Sequence, residues 1–307
     1  MSKAITLTGS NFYQLNDELL RLKTKFVQKY GDINIENLDE ETEVDTLISS
    51  VQALPFLAEK RLLIVKNLGA KKALAERIDE VLDNVSEATE LVIVEPKIDK
   101  RFSYYKTLKT KTVFREFGEL NEPQLISWLI DAAKQQNGSL SRTDAGYLVQ
   151  RVGPNQQLLA QELSKLLLYN PNISRTSIDE LVEPTPQSSV FELLDAAFQG
   201  QTKKVVALYE EQRAMKVEPL NILAMIAWQL HALAIVKTAG KRSDAEIAQA
   251  ASLNPFVVRK SQTIAKSLAL SRLKQLIAET LALDTRLKSE SIDPDEAMLQ
   301  LLLSIAG

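Results

Sequence analysis

The chain has 307 residues, 45% hydrophobic and 25% charged, with 40 acidic against 37 basic side chains and a net charge of −3. That balance is ordinary for a globular protein and excludes one that coats nucleic acid through bulk charge. With no cysteine and a single histidine, His231, disulfides and thiolate metal sites are excluded, and a zinc or catalytic site at His231 would have only carboxylates to complete it.

Met1-Ser-Lys-Ala-Ile lacks the long apolar run of a signal peptide, so a soluble, cytoplasmic protein is expected. Ala4–Thr8 reads as a strand, followed by Gly9-Ser10-Asn11 and a helix through Tyr30. In that helix Leu15, Leu19, Leu22 and Phe26 recur at helical spacing, and Asn11 is placed to cap it. Residues 33–35 suggest a short second strand. The acidic run 36–46 suggests a solvated loop leading into a helix around 46–51. Leu62-Leu63-Ile64-Val65 is an unbroken apolar run, as a strand buried on both faces requires. Residues 71–82 read as helix, 90–95 as another apolar strand, 102–108 as helix and 112–117 as a last strand. Strands alternating with helices predict a parallel sheet covered on both faces, an α/β domain over residues 1–120.

From Asn121 onward no strand pattern recurs. Helices are expected at 123–136, 141–152, 155–168 and 174–182, a small helical domain over 121–183. Asn137-Gly138, Gly153-Pro154 and Asn170-Pro171-Asn172 punctuate them. Residues 183–187, Glu-Pro-Thr-Pro-Gln, read as the clearest linker. Further helices at 190–198, 202–214, 219–237, 244–251, 255–267, 271–288 and 294–305 form a helical bundle over 184–307. Within it, 220–236 is nearly all apolar. It falls short of the ~20 residues of a membrane helix and carries Asn221, Gln229 and His231, which suits the central helix of a bundle. His231 there reads as a core or interface residue rather than a ligand.

A strand, a glycine and a helix invite a test for nucleotide binding. A phosphate-cradling loop needs G-x-x-x-x-G-K-[ST]. Gly9 is followed by Ser10-Asn11-Phe12-Tyr13-Gln14, with no second glycine and no lysine. Glu95 ends its strand as a magnesium-holding acid would, but it has no acidic neighbour, so ATP hydrolysis is not expected. No catalytic constellation, metal site or cofactor site emerges. Basic residues do cluster from Lys97 to Arg115, with Tyr104 and Tyr105 among them. Lys100, Arg101, Lys106 and Lys109 are candidate DNA contacts, and a solvated face reads equally well.

One stretch stands apart: Gln52-Ala-Leu-Pro-Phe-Leu-Ala-Glu-Lys-Arg-Leu-Leu-Ile-Val. Pro55 pushes Leu54 towards an extended conformation, leaving Phe56 and Leu57 adjacent at a helix-to-strand junction. Such a pair is either tucked into its own core or presented to a partner, and from composition alone a core plug is the default.

This segment, in a layout of α/β domain, small helical domain and terminal bundle, resembles the delta subunit of the bacterial DNA polymerase III clamp loader. Phe191-Glu-Leu-Leu-Asp-Ala-Ala-Phe-Gln-Gly, Asn254-Pro-Phe-Val-Val-Arg-Lys and Leu283-Asp284 with Lys288 follow in the family's order. The resemblance implies a clamp-loader AAA+-like architecture: a P-loop-NTPase-like sheet without a P-loop, then two all-α domains, the second a collar. It implies a non-catalytic subunit that binds and opens the ring-shaped sliding clamp for loading onto primed DNA, with no cofactor and no membrane partner. Phe56 and Leu57 would be its wedge, with Leu54 and Gln52 flanking. The other loader subunits would join through the terminal helices. Alternatives are a degenerate nucleotide-binding enzyme or a DNA-binding scaffold.

Overall fold

The structure is a computed structural model that describes residues 4–307, apart from the side chain of Gln187. Met1, Ser2 and Lys3, part of the N-terminus interpreted above, lie outside the described residues. The chain divides into two compact units, Met1–Glu119 and Leu120–Gly307.

The first unit alternates β1 (Ala4–Thr8), α1 (Phe12–Tyr30), β2 (Ile35–Leu38), α2 (Val44–Gln52), β3 (Arg61–Lys66), α3 (Lys72–Glu76), α4 (Ile78–Asp83), β4 (Thr89–Glu95), α5 (Ser103–Lys111) and β5 (Val113–Glu116). The five strands form one sheet in the order β2-β3-β4-β1-β5, every pairing parallel. Because alternate side chains point to opposite faces, the apolar run of β3 divides in two. Leu62 and Ile64 join Leu7, Leu15, Phe26, Val92 and Val94 beneath α1. Leu63 and Val65 join Val44, Leu47, Val51, Leu91, Ile93, Tyr104 and Leu108 on the other face. The expected α/β architecture is therefore present, and Asn11 caps α1 by accepting from the Gln14 amide.

Three local expectations change. The second strand starts at Ile35, since residues 33 and 34 form a turn. Glu36, expected in a solvated loop, lies in β2 and forms an ion pair with Arg61. The helix expected over 71–82 is interrupted at Arg77, whose φ of −103° and ψ of 16° leave the helical region.

The second unit runs α6 (Glu122–Gln135), β6 (Ser139–Leu140), α7 (Arg142–Val152), α8 (Gln156–Tyr169), β7 (Asn172–Ile173), α9 (Arg175–Leu181), α10 (Pro186–Phe198), α11 (Thr202–Ala214), α12 (Pro219–Thr238), α13 (Asp244–Ala251), α14 (Pro255–Ser267), α15 (Leu270–Ser289) and α16 (Pro294–Ala306). A capping box between Asn121 and Gln124 starts α6. The two-residue strands β6 and β7 pair in parallel, too short to leave a pattern in the sequence. The expected linker is instead a helix start: Thr185 accepts from the Ser188 amide, and α10 begins at Pro186.

Leu125, Leu129, Leu148, Leu159 and Leu163 form one core, which also takes in Phe191, Ala232, Phe256 and Val257 from α10, α12 and α14. A second core gathers α10, α11, α12, α14, α15 and α16. Helix α12 is long and apolar enough to cross a membrane by length and composition. It packs against α10, α13, α14, α15 and α16, the central place expected for it. His231, expected to be a core or interface residue, is exposed on α12. The core positions of that helix belong to Ile222, Leu223, Ile226, Leu230 and Leu233.

Candidate functional site

In a parallel sheet ligands usually collect beyond the C-terminal ends of the strands, where Gly9 and Glu95 lie. That edge is closed by the chain itself. The Asn11 amide donates to Phe117 O at 3.0 Å, the Phe117 amide donates to Thr8 O at 2.8 Å, and Asn11 Nδ2 donates to Gly118 O. Gly9, at φ 122°, lies so close to this connection that a Cβ there would stand 2.0 Å from Phe117 O. The space a phosphate cradle would need is filled by backbone.

Glu95 is likewise committed to structure. It is 3% exposed, and its Oε1 accepts from Tyr104 Oη at 2.7 Å and from the Gly69 amide at 2.8 Å. Burial raises its pKa above the ordinary carboxylate value, against the opposing pull of the Tyr104, Gly69 and Leu68 hydrogen bonds. Burial and the adjacent carboxylate push the Tyr104 hydroxyl up as well. Among the described residues no cluster of three metal-ligating side chains occurs.

The opposite edge of the sheet carries the conspicuous surface. Helix α2 ends at Gln52, Ala53 takes an extended conformation, and β3 begins at Arg61. The loop between them therefore lies at the N-terminal ends of the strands. Leu54 is 81% exposed, Phe56 67% and Leu57 87%. The core-plug default is overturned: both side chains of the pair are exposed. The neighbouring apolar positions Val51 and Leu62 to Val65 already fill both faces of the sheet, so the loop residues have no vacant core to enter.

The loop is nonetheless held. Asn34 Oδ1 accepts from the Phe56 amide at 2.6 Å, and Asn34 Nδ2 donates to Phe56 O at 2.8 Å. Asn34 O accepts from the Leu62 amide at 2.9 Å. Lys60 Nζ donates to Glu87 O at 2.5 Å. Gln52 Nε2 donates to Asn84 Oδ1 at 2.6 Å, anchoring the end of α2 to the segment after α4. Leu57 has φ 52°, a left-handed conformation that costs a branched residue energy and is kept where the surroundings enforce it.

The basic stretch is more neutral in space than in sequence. Lys100 pairs with Glu116 at 2.6 Å, Arg101 with Asp99 at 2.6 Å, and Arg115 with Glu18. Lys111 bridges Asp79 and Asp83. Arg101 holds the Asp99 carboxyl down to about 2. Lys109 Nζ lies over the Tyr105 ring, 5.5 Å from its centroid, and contacts its hydroxyl. Lys106 is exposed and has no side-chain partner among the described residues. Four candidate cations thus share one region without forming an uncompensated patch. Asn34, interpreted in the sequence as part of a strand, is the residue that sequence reasoning missed. Its only local signal was turn chemistry after Gly31-Asp32.

Comparison with known proteins agrees with this architecture. Residues 6–117 match the family described as "DNA polymerase III, delta subunit", and residues 187–305 match "DNA polymerase III delta subunit, C-terminal domain". The chain is 24% identical to the DNA polymerase III subunit delta of Bacillus subtilis (strain 168), covering 97% of this chain and 90% of that one. It is 22% identical to the Escherichia coli (strain K12) subunit of the same name, covering 66% and 61%. The solved structure of the Bacillus subtilis DNA clamp loader delta protein superposes with a TM-score of 0.81 at 23% identity, covering 99% of this chain and 95% of that one, which establishes the shared fold. With an unbroken delta-type sheet and a delta-type C-terminal bundle in one chain, this protein belongs to the family of DNA polymerase III delta subunits.

Proposed function

We propose that this chain binds and opens the ring-shaped DNA sliding clamp through a hydrophobic wedge, as a non-catalytic component of the replicative clamp loader. The observation that carries the proposal is the exposure of Leu54, Phe56 and Leu57 on a loop that is hydrogen-bonded in place. Exposed aromatic and aliphatic anchors on a fixed backbone have the character of interface hot spots. Gln52 and Leu54 flank the wedge. Binding that favours the open ring over the closed one shifts the ring equilibrium without nucleotide at this subunit. The filled C-terminal edge of the sheet accords with that division of labour and weighs against a degenerate nucleotide-binding enzyme.

Within the helical unit we assign residues 121–183 to a lid-like region and 184–307 to a collar that meets the other loader subunits. Leu270, Ile277 and Leu281 leave an exposed apolar stripe along α15, which suits that role. Primed DNA would be met within the assembled complex, with Lys106 the least compensated of the four candidate cations. A cytoplasmic location follows from this role. The test is release of a closed clamp, trapped on nicked circular DNA, by the purified chain in the absence of ATP. Release supports ring opening; retention of the clamp at saturating chain overturns it.

A further inference from the structure

Phe56 and Leu57 lie on a loop, and loops ordinarily lose affinity because their backbone must be ordered on binding. This loop is ordered by a residue that lies 22 positions away in sequence. The carboxamide of Asn34 meets both backbone polar groups of Phe56, as a neighbouring strand would. It accepts from the amide at 2.6 Å and donates to the carbonyl at 2.8 Å. The main-chain carbonyl of the same residue accepts from Leu62, one residue into β3. Asn34 thus fastens the loop at its apex and at its exit. The left-handed Leu57 follows directly after the fastened residue, so the backbone turns at a defined point with both side chains facing solvent. Asn34 belongs to the turn between α1 and β2, and its neighbour Ile33 is itself 73% exposed.

We propose that Asn34 is a positioning residue that pre-organises the Phe56–Leu57 wedge for the sliding clamp, and that the exposed Ile33 beside it extends the same apolar docking surface. This rests on the wedge reading above. The chemistry is particular to an asparagine. Aspartate keeps the acceptor for the Phe56 amide but sets a carboxylate against the Phe56 carbonyl, and alanine keeps neither bond.

The experiment is titration of the purified full-length chain with the sliding clamp of its own organism. The proteins compared are wild type, Asn34→Ala, Asn34→Asp, Ile33→Ser, Leu57→Ala, Asn34→Ala with Leu57→Ala, and Phe56→Ala with Leu57→Ala. Asn34→Ala is expected to weaken binding about three- to tenfold through lost pre-organisation, with Asn34→Asp in between and Ile33→Ser severalfold weaker than wild type. In the Leu57→Ala background the Asn34→Ala effect should shrink, because Asn34 acts through the wedge. That coupling is the readout a merely structural role would not move, and amide hydrogen exchange checks that the fastening bond itself is lost. The Phe56 amide should exchange faster in Asn34→Ala, while the buried Val65 amide stays as protected as in wild type.

Wild-type affinity in Asn34→Ala, alongside loss of binding in the Phe56/Leu57 double variant, overturns the positioning role. So does an Asn34→Ala effect that persists in full without Leu57. Unchanged binding by Ile33→Ser removes that residue from the surface. Unchanged binding by the double variant removes the wedge itself, a separate failure that the same titration distinguishes.

Discussion

Replacing Phe56 and Leu57 together by alanine should separate binding from folding, and the structure sets the size of both effects. Full burial of a Phe or Leu side chain is worth about 1.5–3 kcal/mol. Phe56 is 67% and Leu57 87% exposed. The surface still available to a partner therefore represents about 1.5 kcal/mol each, or about 3 kcal/mol together and on the order of a hundredfold in Kd. The part already buried, about a third of Phe56 and about an eighth of Leu57, limits the folding cost to about 1 kcal/mol. Alanine at position 57 inherits the left-handed φ of 52°, so no relief of strain offsets that cost. Clamp titration by calorimetry and urea denaturation of the same preparations measure the two quantities. A change in Kd below about threefold, or a stability loss above about 2 kcal/mol, would refute the reasoning. The first result means that the pair is not the anchor, the second that it is core after all.

Two further predictions concern the opposite edge of the sheet. Gly9→Ala should cost about 4 kcal/mol or more: three hydrogen bonds closing the Phe117–Gly118 connection are strained, at about 1 kcal/mol each, on top of an unfavourable φ. Gly31→Ala, at φ 80° and ψ 179° with open space around it, should cost backbone strain alone, about 1–3 kcal/mol; equal urea midpoints for the two variants would contradict the steric argument. Glu95→Gln should change how stability depends on pH. Burial raises the folded-state pKa of Glu95 above the ordinary glutamate value of 4.5, so between the two values the folded state holds a proton that the unfolded state has released. Wild-type stability is thus lost as pH rises from about 4.5 through the raised folded value, and the glutamine variant lacks that loss. The difference in urea midpoint, variant minus wild type, should grow over that window and level off above it. A difference that is constant with pH would count against the assignment.

Much of the architecture was legible in the chain. Strand β1 and helix α1 begin and end where the periodicity and the Gly9-Ser10-Asn11 punctuation predict, because caps and apolar spacing are local properties. Helices α11, α13 and α14 match their expected bounds for the same reason. Failures fall where the deciding partner is distant or the element very short. β6 and β7 are two residues each, and α10 absorbs two residues of the expected linker because Thr185 caps it.

The sequence by itself determined the classes of element, the α/β-then-helical order and the candidate segment at Gln52. Tertiary structure decided which apolar residues are exposed. Leu54, Phe56 and Leu57 have the same character as Leu62, Leu63 and Ile64. Only the packing of α1 on one face of the sheet and of α2 and α5 on the other makes the second group core and leaves the first in solvent. It also decided the fate of the charges: Glu95 is committed to Tyr104 and Gly69, and Lys100, Lys111 and Arg115 of the basic stretch are compensated by Glu116, Asp79, Asp83 and Glu18. Burial and pairing are properties of neighbours, and for these residues many of the deciding neighbours are far away along the chain.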